Sequence, residues 1–251
     1  MTKLIFLGTS NAIPDQGREN THMVLVGETR LVLIDCGNNP IVRFQKAGLD
    51  VMSLTDLILT HFHPDHVSGV PSLLMSLWLM GRKAPLTLHG LAHTLERMKT
   101  LMEFYEWESW PNFFPVTFHT LPEQELAQVI DNQEFRIFSS PVCHLVPTIG
   151  LRIECSKSGV VLAYSCDTEP CNAVIRLAKG ADLLVHEATG AGVGHSSARE
   201  AGEIAHQAGS KSLALIHYKD SIDGRLELVK EAQESFQGTV FLAQDFMEKE
   251  L

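Results

Sequence analysis

Apolar residues along the chain fall into short runs set off by Gly, Asn and Pro, a pattern of strands and helices separated by turns. Lys3–Gly8, His22–Val26, Leu31–Asp35 and Asp56–Thr60 read as strands. Gly69–Gly81 reads as a helix rich in Leu and Met, Leu86–His89 as a strand and Leu91–Tyr105 as a helix. Glu134–Phe138, Thr148–Glu154 and Val160–Ser165 are strand-like. The remainder alternates: helix Asn172–Lys179, strand Leu183–His186, helix Ala198–Ala208, strand Ser212–His217, helix Arg225–Phe236 and strand Thr239–Ala243. A strand-heavy first half followed by strand–helix alternation predicts an α/β fold, with helices covering the outer faces of sheets. No Pro/Ser linker, charge block or low-complexity tract divides the 251 residues, so one domain spanning residues 1–251 is expected, with a sheet in each half.

Composition narrows the class only a little. Hydrophobic content of 45% and charged content of 20% are ordinary for a globular chain. A net charge of −10 repels polyanions at long range and argues mildly against a nucleic-acid substrate. The cysteines are Cys36, Cys143, Cys155, Cys166 and Cys171. Their number is odd and no pair forms a CxxC, which fits a reducing compartment better than a disulfide framework. Cys143 and Cys166 are expected to be small buried fillers. No run of about 18 apolar residues predicts a membrane span, and the N-terminal apolar run is too short for a signal peptide. A cytoplasmic location is expected.

The chemistry concentrates in His61-Phe62-His63-Pro64-Asp65-His66. In an extended segment, residues i and i+2 point to one side, so His61 and His63 can grip one ion together. Pro64 bends the chain, and Asp65 and His66 follow in a turn from which they reach a second ion. Nitrogen and oxygen donors suit zinc and also admit manganese or iron. A surface cluster of histidines is the bland alternative. Four metal-competent side chains at the end of a buried apolar strand weigh against it, because strand ends at a sheet's rim are where α/β folds carry function.

This segment resembles the H-x-H-x-D-H signature of the metallo-β-lactamase superfamily, and the resemblance extends over the whole chain. It implies an αββα sandwich, two mixed β-sheets flanked by helices. Leu31–Gly37, LVLIDCG, is similar to the superfamily's first motif, with Asp35 orienting the histidine loop. SSPVCH, ending at His144, resembles the third motif; VVLAYSCD, ending at Asp167, the fourth; SLALIHY, containing His217, the fifth. By the resemblance, His61, His63 and His144 hold a first divalent ion, Asp65, His66 and His217 hold a second, and Asp167 bridges them. A hydroxide between two ions is then the nucleophile, since zinc lowers the pKa of water to about 7, and Asp65 helps orient it.

The C-terminal half resembles the ribonuclease Z branch more specifically. Leu183–Gly192 carries a HEAT segment, and Gly194–Gly209 opens with GHSSA, where Ser196 or Ser197 is expected to cap a helix. The resemblance implies that His195 gives a proton to the leaving oxygen and that Glu187 holds its imidazole charged and in place. His186 reads as structural. The opening Gly8–Asn20 is similar to that of the branch, and Gly8, Thr9 and Ser10 are expected to present N–H groups or hydroxyls to a phosphate.

Two departures bear on substrate. The branch's P-x-K-x-R-N loop is here Pro14-Asp15-Gln16-Gly17-Arg18-Glu19-Asn20, with Gln16 at the lysine position and Glu19 displacing Asn20. The long arm of tRNA-processing members is absent: His144 and Asp167 are joined only by a hairpin turning at Lys157-Ser158-Gly159. The leading reading is therefore a metal-dependent phosphodiesterase acting on small phosphodiesters, cyclic phosphodiesters or nucleotides. A tRNA 3′-processing endoribonuclease is the alternative, with RNA as its partner. Thioester or lactone hydrolysis comes third, and the HEAT and GHSSA segments count against it. An oxygen- or nitric-oxide-reducing di-iron protein would want an acidic residue at position 63 and a flavin module, and a non-catalytic member would lack ligands. β-Lactam hydrolysis does not follow from a shared fold. Met98–Phe114 gathers Phe104, Tyr105, Trp107, Trp110, Phe113 and Phe114. It reads as core, as an aromatic wall over the site or as the face of a homodimer, the last favoured by the resemblance.

Overall fold

The computed structural model describes residues 2–219 and 224–251. Among the described residues, fourteen strands form two seven-stranded sheets. The first contains β1 (Lys3–Gly8), β2 (His22–Val26), β3 (Leu31–Ile34), β4 (Asp56–Ile58), β5 (Leu86–Leu91) and β6 (Val116–Leu121) in that order. The last strand of the chain, β14 (Glu248–Glu250), returns to pair antiparallel with β1. The second sheet runs, from edge to edge, β13 (Thr239–Leu242), β12 (Ser212–Ile216), β11 (Leu183–Glu187), β10 (Val161–Tyr164), β9 (Thr148–Cys155), β8 (Phe135–Val142) and β7 (Ala127–Asp131). Each sheet is half antiparallel and half parallel, β3 to β6 and β10 to β13 forming the parallel portions.

Burial explains why the strands read as continuous apolar runs. Both faces of each sheet are covered. In β1, Leu4 and Phe6 enter the core between the sheets, while Ile5 and Leu7 enter the layer under the outer helices. The first sheet is covered by α1 (Pro40–Lys46), α3 (Val70–Leu79) and α4 (Ala92–Glu103). The second is covered by α5 (Asn172–Leu177), α6 (Ala198–Ala208) and α7 (Gly224–Gln233). This is the expected αββα arrangement. Among the described residues no helix is long and apolar enough to cross a membrane.

Several elements depart from the pattern read above. Helix α1 had local signals, an Asn39 cap and Pro40 at its first position. Strands β6, β7 and β14 were not foreseen, and β4 stops at Ile58, short of Thr60. The aromatic segment divides. Trp107 and Phe114 are buried, and Trp110 and Phe113 pack against the outer core of the first sheet. Phe104 and Tyr105 face outward at 80% and 54% exposure. Cys166 is buried as expected, but Cys143 is exposed: it lies beyond the end of β8, where the chain leaves the sheet.

Candidate metal centre

The candidate residues gather at the C-terminal ends of strands along one rim. Asp35 follows β3, His61 and His63 follow β4, His144 follows β8, Asp167 follows β10, Glu187 ends β11 and His217 follows β12. Asp65 and His66 lie in a single helical turn, α2 (Pro64–Val67), with Pro64 at its first position. Three chain turns at this rim use left-handed backbone without glycine: Asp35 at φ 61°, Cys166 at 55° and His217 at 54°. Each costs roughly 1–3 kcal/mol. The surroundings hold them: Asp35 N–H donates to Ile58 O at 2.9 Å and His217 N–H to Thr9 O at 3.0 Å. Gly37 lets the loop after β3 press against α2, since a Cβ there would sit 1.9 Å from the Asp65 carbonyl.

Two donor clusters result. His61, His63 and His144 form one; Asp65, His66, Asp167 and His217 form the other, each with its ligand atoms within 4.8 Å of one another. In the first, His61 Nε2 lies 3.0 Å from His63 Nδ1, and His144 Nε2 lies 3.2 Å from the same atom. Burial, followed by repulsion from His66, pushes the His61 pKa well below the usual histidine range. Burial also lowers His63 and His144. In the second, His66 Nε2 lies 3.4 Å from Asp65 Oδ2 and 3.5 Å from Asp167 Oδ2. Burial opposes charge on His66, but Asp167 and Asp35 outweigh it and raise the pKa well above the usual value. Burial would raise Asp65, yet the His217 and His66 imidazoles beside it hold it below the carboxylate range. Asp167 is likewise held low against its burial by the charges of His217 and His66.

Residues behind the clusters fix which ring nitrogen faces inward. His66 Nδ1 donates to Asp35 Oδ2 at 2.9 Å, and Asp35 also accepts the Thr60 N–H at 2.8 Å. His144 Nδ1 donates to Gly194 O at 2.6 Å. The Thr189 hydroxyl donates to His217 O at 2.8 Å, so it accepts from His217 Nδ1, also at 2.8 Å. In all three rings Nε2 is then the nitrogen turned toward the cluster, where a metal ion would take its lone pair in place of a proton. Thr189 lies in the HEAT segment, where Glu187 alone was given a role in the chemistry; its hydroxyl gave no signal until His217 was placed beside it.

His66 Nε2 and Asp167 Oδ1 are buried without a hydrogen-bond partner among the described residues. Two such orphans within one cluster are the environment a cation satisfies. The donor set therefore fits divalent metal ions bound by nitrogen and oxygen.

His195 sits over both clusters, its ring 5.1 Å from His144 and stacked on His217 at 5.9 Å. Its Nδ1 donates to Glu187 Oε1 at 2.9 Å, and this bond raises its pKa. Glu187 is fully buried. Its carboxylate also accepts the N–H groups of Thr168 at 3.1 Å, Thr189 at 2.9 Å and Ser196 at 3.1 Å. The cap of α6 falls to Ser197, which forms a reciprocal pair with Glu200. His186 is buried at the end of β11, its Nδ1 2.8 Å from Glu187 O.

The opening loop does not present itself to a phosphate as the sequence suggested. The Thr9 hydroxyl donates to Asp245 at 2.7 Å and the Ser10 hydroxyl to Ile13 O at 2.9 Å, and both residues are fully buried. Asn20, displaced by Glu19, turns inward and donates to Asn11 O at 2.8 Å.

Comparison with known proteins agrees with this architecture. Residues 2–240 match the family described as Anti-Pycsar protein Apyc1. A ribonuclease Z of Methanothermobacter thermautotrophicus is 29% identical over 306 aligned positions, covering 100% of this chain and 97% of the relative. The short form of human tRNase Z superposes with a TM-score of 0.80 at 25% identity, covering 99% of this chain and 98% of that one. YhfI of Bacillus subtilis, a metallo-β-lactamase fold protein, superposes with a TM-score of 0.83 at 21% identity, covering 99% and 98%. The fold is the metallo-β-lactamase αββα sandwich, and the resemblance to the ribonuclease Z-like branch is borne out.

Proposed function

The chain belongs to the Anti-Pycsar protein Apyc1 family, and we propose that this metal-dependent hydrolase of ribonuclease Z-like kind cleaves phosphodiester bonds with two divalent ions. Zinc is the first candidate, and the donors also admit manganese or iron. His61, His63 and His144 would hold one ion and Asp65, His66 and His217 the other, with Asp167 shared. Such ions lower the pKa of water toward about 7 and stabilise charge on phosphoryl oxygens. Asp65 would help orient the attacking oxygen. The observation that carries the reading is the 2.9 Å His195–Glu187 bond beside both clusters. It fixes the imidazole through Nδ1, favours its charged form, and leaves Nε2 to give a proton to a departing alkoxide.

Small phosphodiesters, cyclic phosphodiesters or nucleotides are our first substrate reading. Between His144 and Asp167 the chain forms only the β9–β10 hairpin. β9 runs away from the site for eight residues, so the turn lies about 26 Å off at strand spacing. The second reading, a tRNA 3′-processing endoribonuclease, is backed better than the first by the names of the curated relatives. The alignment with the Methanothermobacter relative runs over 306 positions against a chain of 251 residues, so that relative carries segments this chain lacks. All five thiols are free, which fits action in a reducing cytoplasm. A second copy of the chain is proposed to cover the outward Met75, Leu79 and Met80 around α3 together with Phe104 and Tyr105 after α4; light scattering reads the outcome as dimer or monomer.

The test is a substrate panel on metal-analysed protein: bis-p-nitrophenyl phosphate, a cyclic nucleotide, precursor tRNA, a glutathione thioester and a lactone. Hydrolysis of the first two is expected. Cleavage of precursor tRNA alone would replace the first reading by the second, and turnover of the thioester or lactone alone would overturn both. His195→Ala should keep its metal and slow an alkyl phosphodiester by about 10²–10⁴-fold, while sparing a nitrophenolate ester. An unchanged rate on the alkyl ester rejects the proton-donor role.

A further inference from the structure

Glu169, outside the donor set, joins three loops beside the site. It lies two residues beyond Asp167 and is half-buried. Its N–H donates to Cys143 O at 2.7 Å, one residue before His144. Its Oε1 accepts the Gly194 N–H at 2.7 Å, one residue before His195. The carbonyl of that same glycine accepts from His144 Nδ1 at 2.6 Å. Gly194 thus stands between a carboxylate on one side and a candidate metal ligand on the other.

The geometry there is tight. Gly194 is buried at φ 82°, and a Cβ would lie 2.9 Å from His144 Nδ1. The loop closes on itself through Gly190 N–H to Ser196 O at 3.0 Å and His195 N–H to Gly192 O at 3.1 Å. Neither bond fixes its tip against the loop carrying His144, and Val193 at that tip is 77% exposed. A carboxylate accepting a backbone N–H makes a strong, short bond. Without it, a buried N–H is left unsatisfied, and the glycine is free to turn away from His144.

We propose that Glu169 is a positioning residue which, through Gly194, sets the ring of His144 and the place of His195 together. This rests on reading His144 as a metal donor and His195 as the proton donor. What position 169 must supply is an acceptor for the Gly194 N–H, and an amide oxygen supplies one as well as a carboxylate.

The test compares Glu169→Ala and Glu169→Gln in the full, metal-loaded chain. Competition with a chelator reads metal affinity, and kcat and KM are measured on bis-p-nitrophenyl phosphate and on a diester with an alcohol leaving group. The alanine variant should lose about tenfold in affinity for the more weakly held ion. Its kcat on the alkyl ester should fall more than on the nitrophenyl ester, with KM unchanged. The glutamine variant should stay near the parent in both. An alanine variant matching the parent in either readout, or a glutamine variant as impaired as alanine, overturns the proposal. Should alanine fail to fold, Glu169→Asp, one methylene too short, is judged by the same outcomes. If His144→Ala and His195→Ala also behave as the parent, the reading of the site itself fails; if they are impaired and Glu169→Ala is not, only this inference does.

Discussion

The two donor clusters share a rim but differ in charge. His61, His63 and His144 meet as three imidazoles, whose pKa values burial pushes down. Asp65, His66, Asp167 and His217 combine two imidazoles with two carboxylates that already pair with the rings: Asp65 Oδ2 lies 3.3 Å from His217 Nε2, and Asp167 Oδ2 lies 3.5 Å from it. Exposure differs as well. His66 and His217 are buried, while His63 and His144 are partly open. The first cluster is thus a set of neutral lone pairs gathered by packing, and the second a buried ionic network. Burying carboxylates costs several kcal/mol unless counter-charges repay it. The second cluster should accordingly hold a cation harder than the first.

Asp167→Ala gives the largest expected effect. Its carboxylate belongs to the second cluster and also lies within 4.8 Å of His144 and His195 ligand atoms. The variant should lose both ions, read by elemental analysis, and turnover should fall to background. Retention of two ions with full activity would break the idea of a shared ligand. His144→Ala should release one equivalent and keep the other; loss of both or of neither means the clusters do not act as separate sites. The smallest effect is expected at Asp35→Asn, which weakens the hold on His66 Nδ1 without touching a donor. Chelator competition should show the second ion bound about 10–100-fold less tightly, and equal competition in parent and variant would remove Asp35 from the support of that cluster.

Much of this was legible along the chain. His61 to His66 announce themselves by density, and the likeness of three strand-end segments to the superfamily's motifs implied His144, Asp167 and His217. Elements were missed where the sequence carried a weak or competing signal. Strand β6, Val116–Leu121, alternates apolar and polar residues, but it follows directly on the aromatic segment. β14 is Glu-Lys-Glu, with no apolar pattern; it exists through backbone pairing with β1 and the 2.8 Å Lys3–Glu248 ion pair. Cys143 was read as a small buried filler, and the end of β8 turned it out. Thr9 and Ser10 were offered to a phosphate because the opening resembles that of the ribonuclease Z branch, while Asp245 and the Ile13 carbonyl, unforeseen as partners, engage their hydroxyls.

By itself the sequence determined the kind of donors and the strands that carry them, because side-chain chemistry and two-residue alternation are local properties. Tertiary structure alone decided which nitrogen each ring presents. Those choices depend on Asp35, Gly194 and Thr189, which lie 31, 50 and 28 residues from the histidines they orient. A hydrogen bond formed across such a separation exists only after both sheets have packed, and no local pattern encodes it.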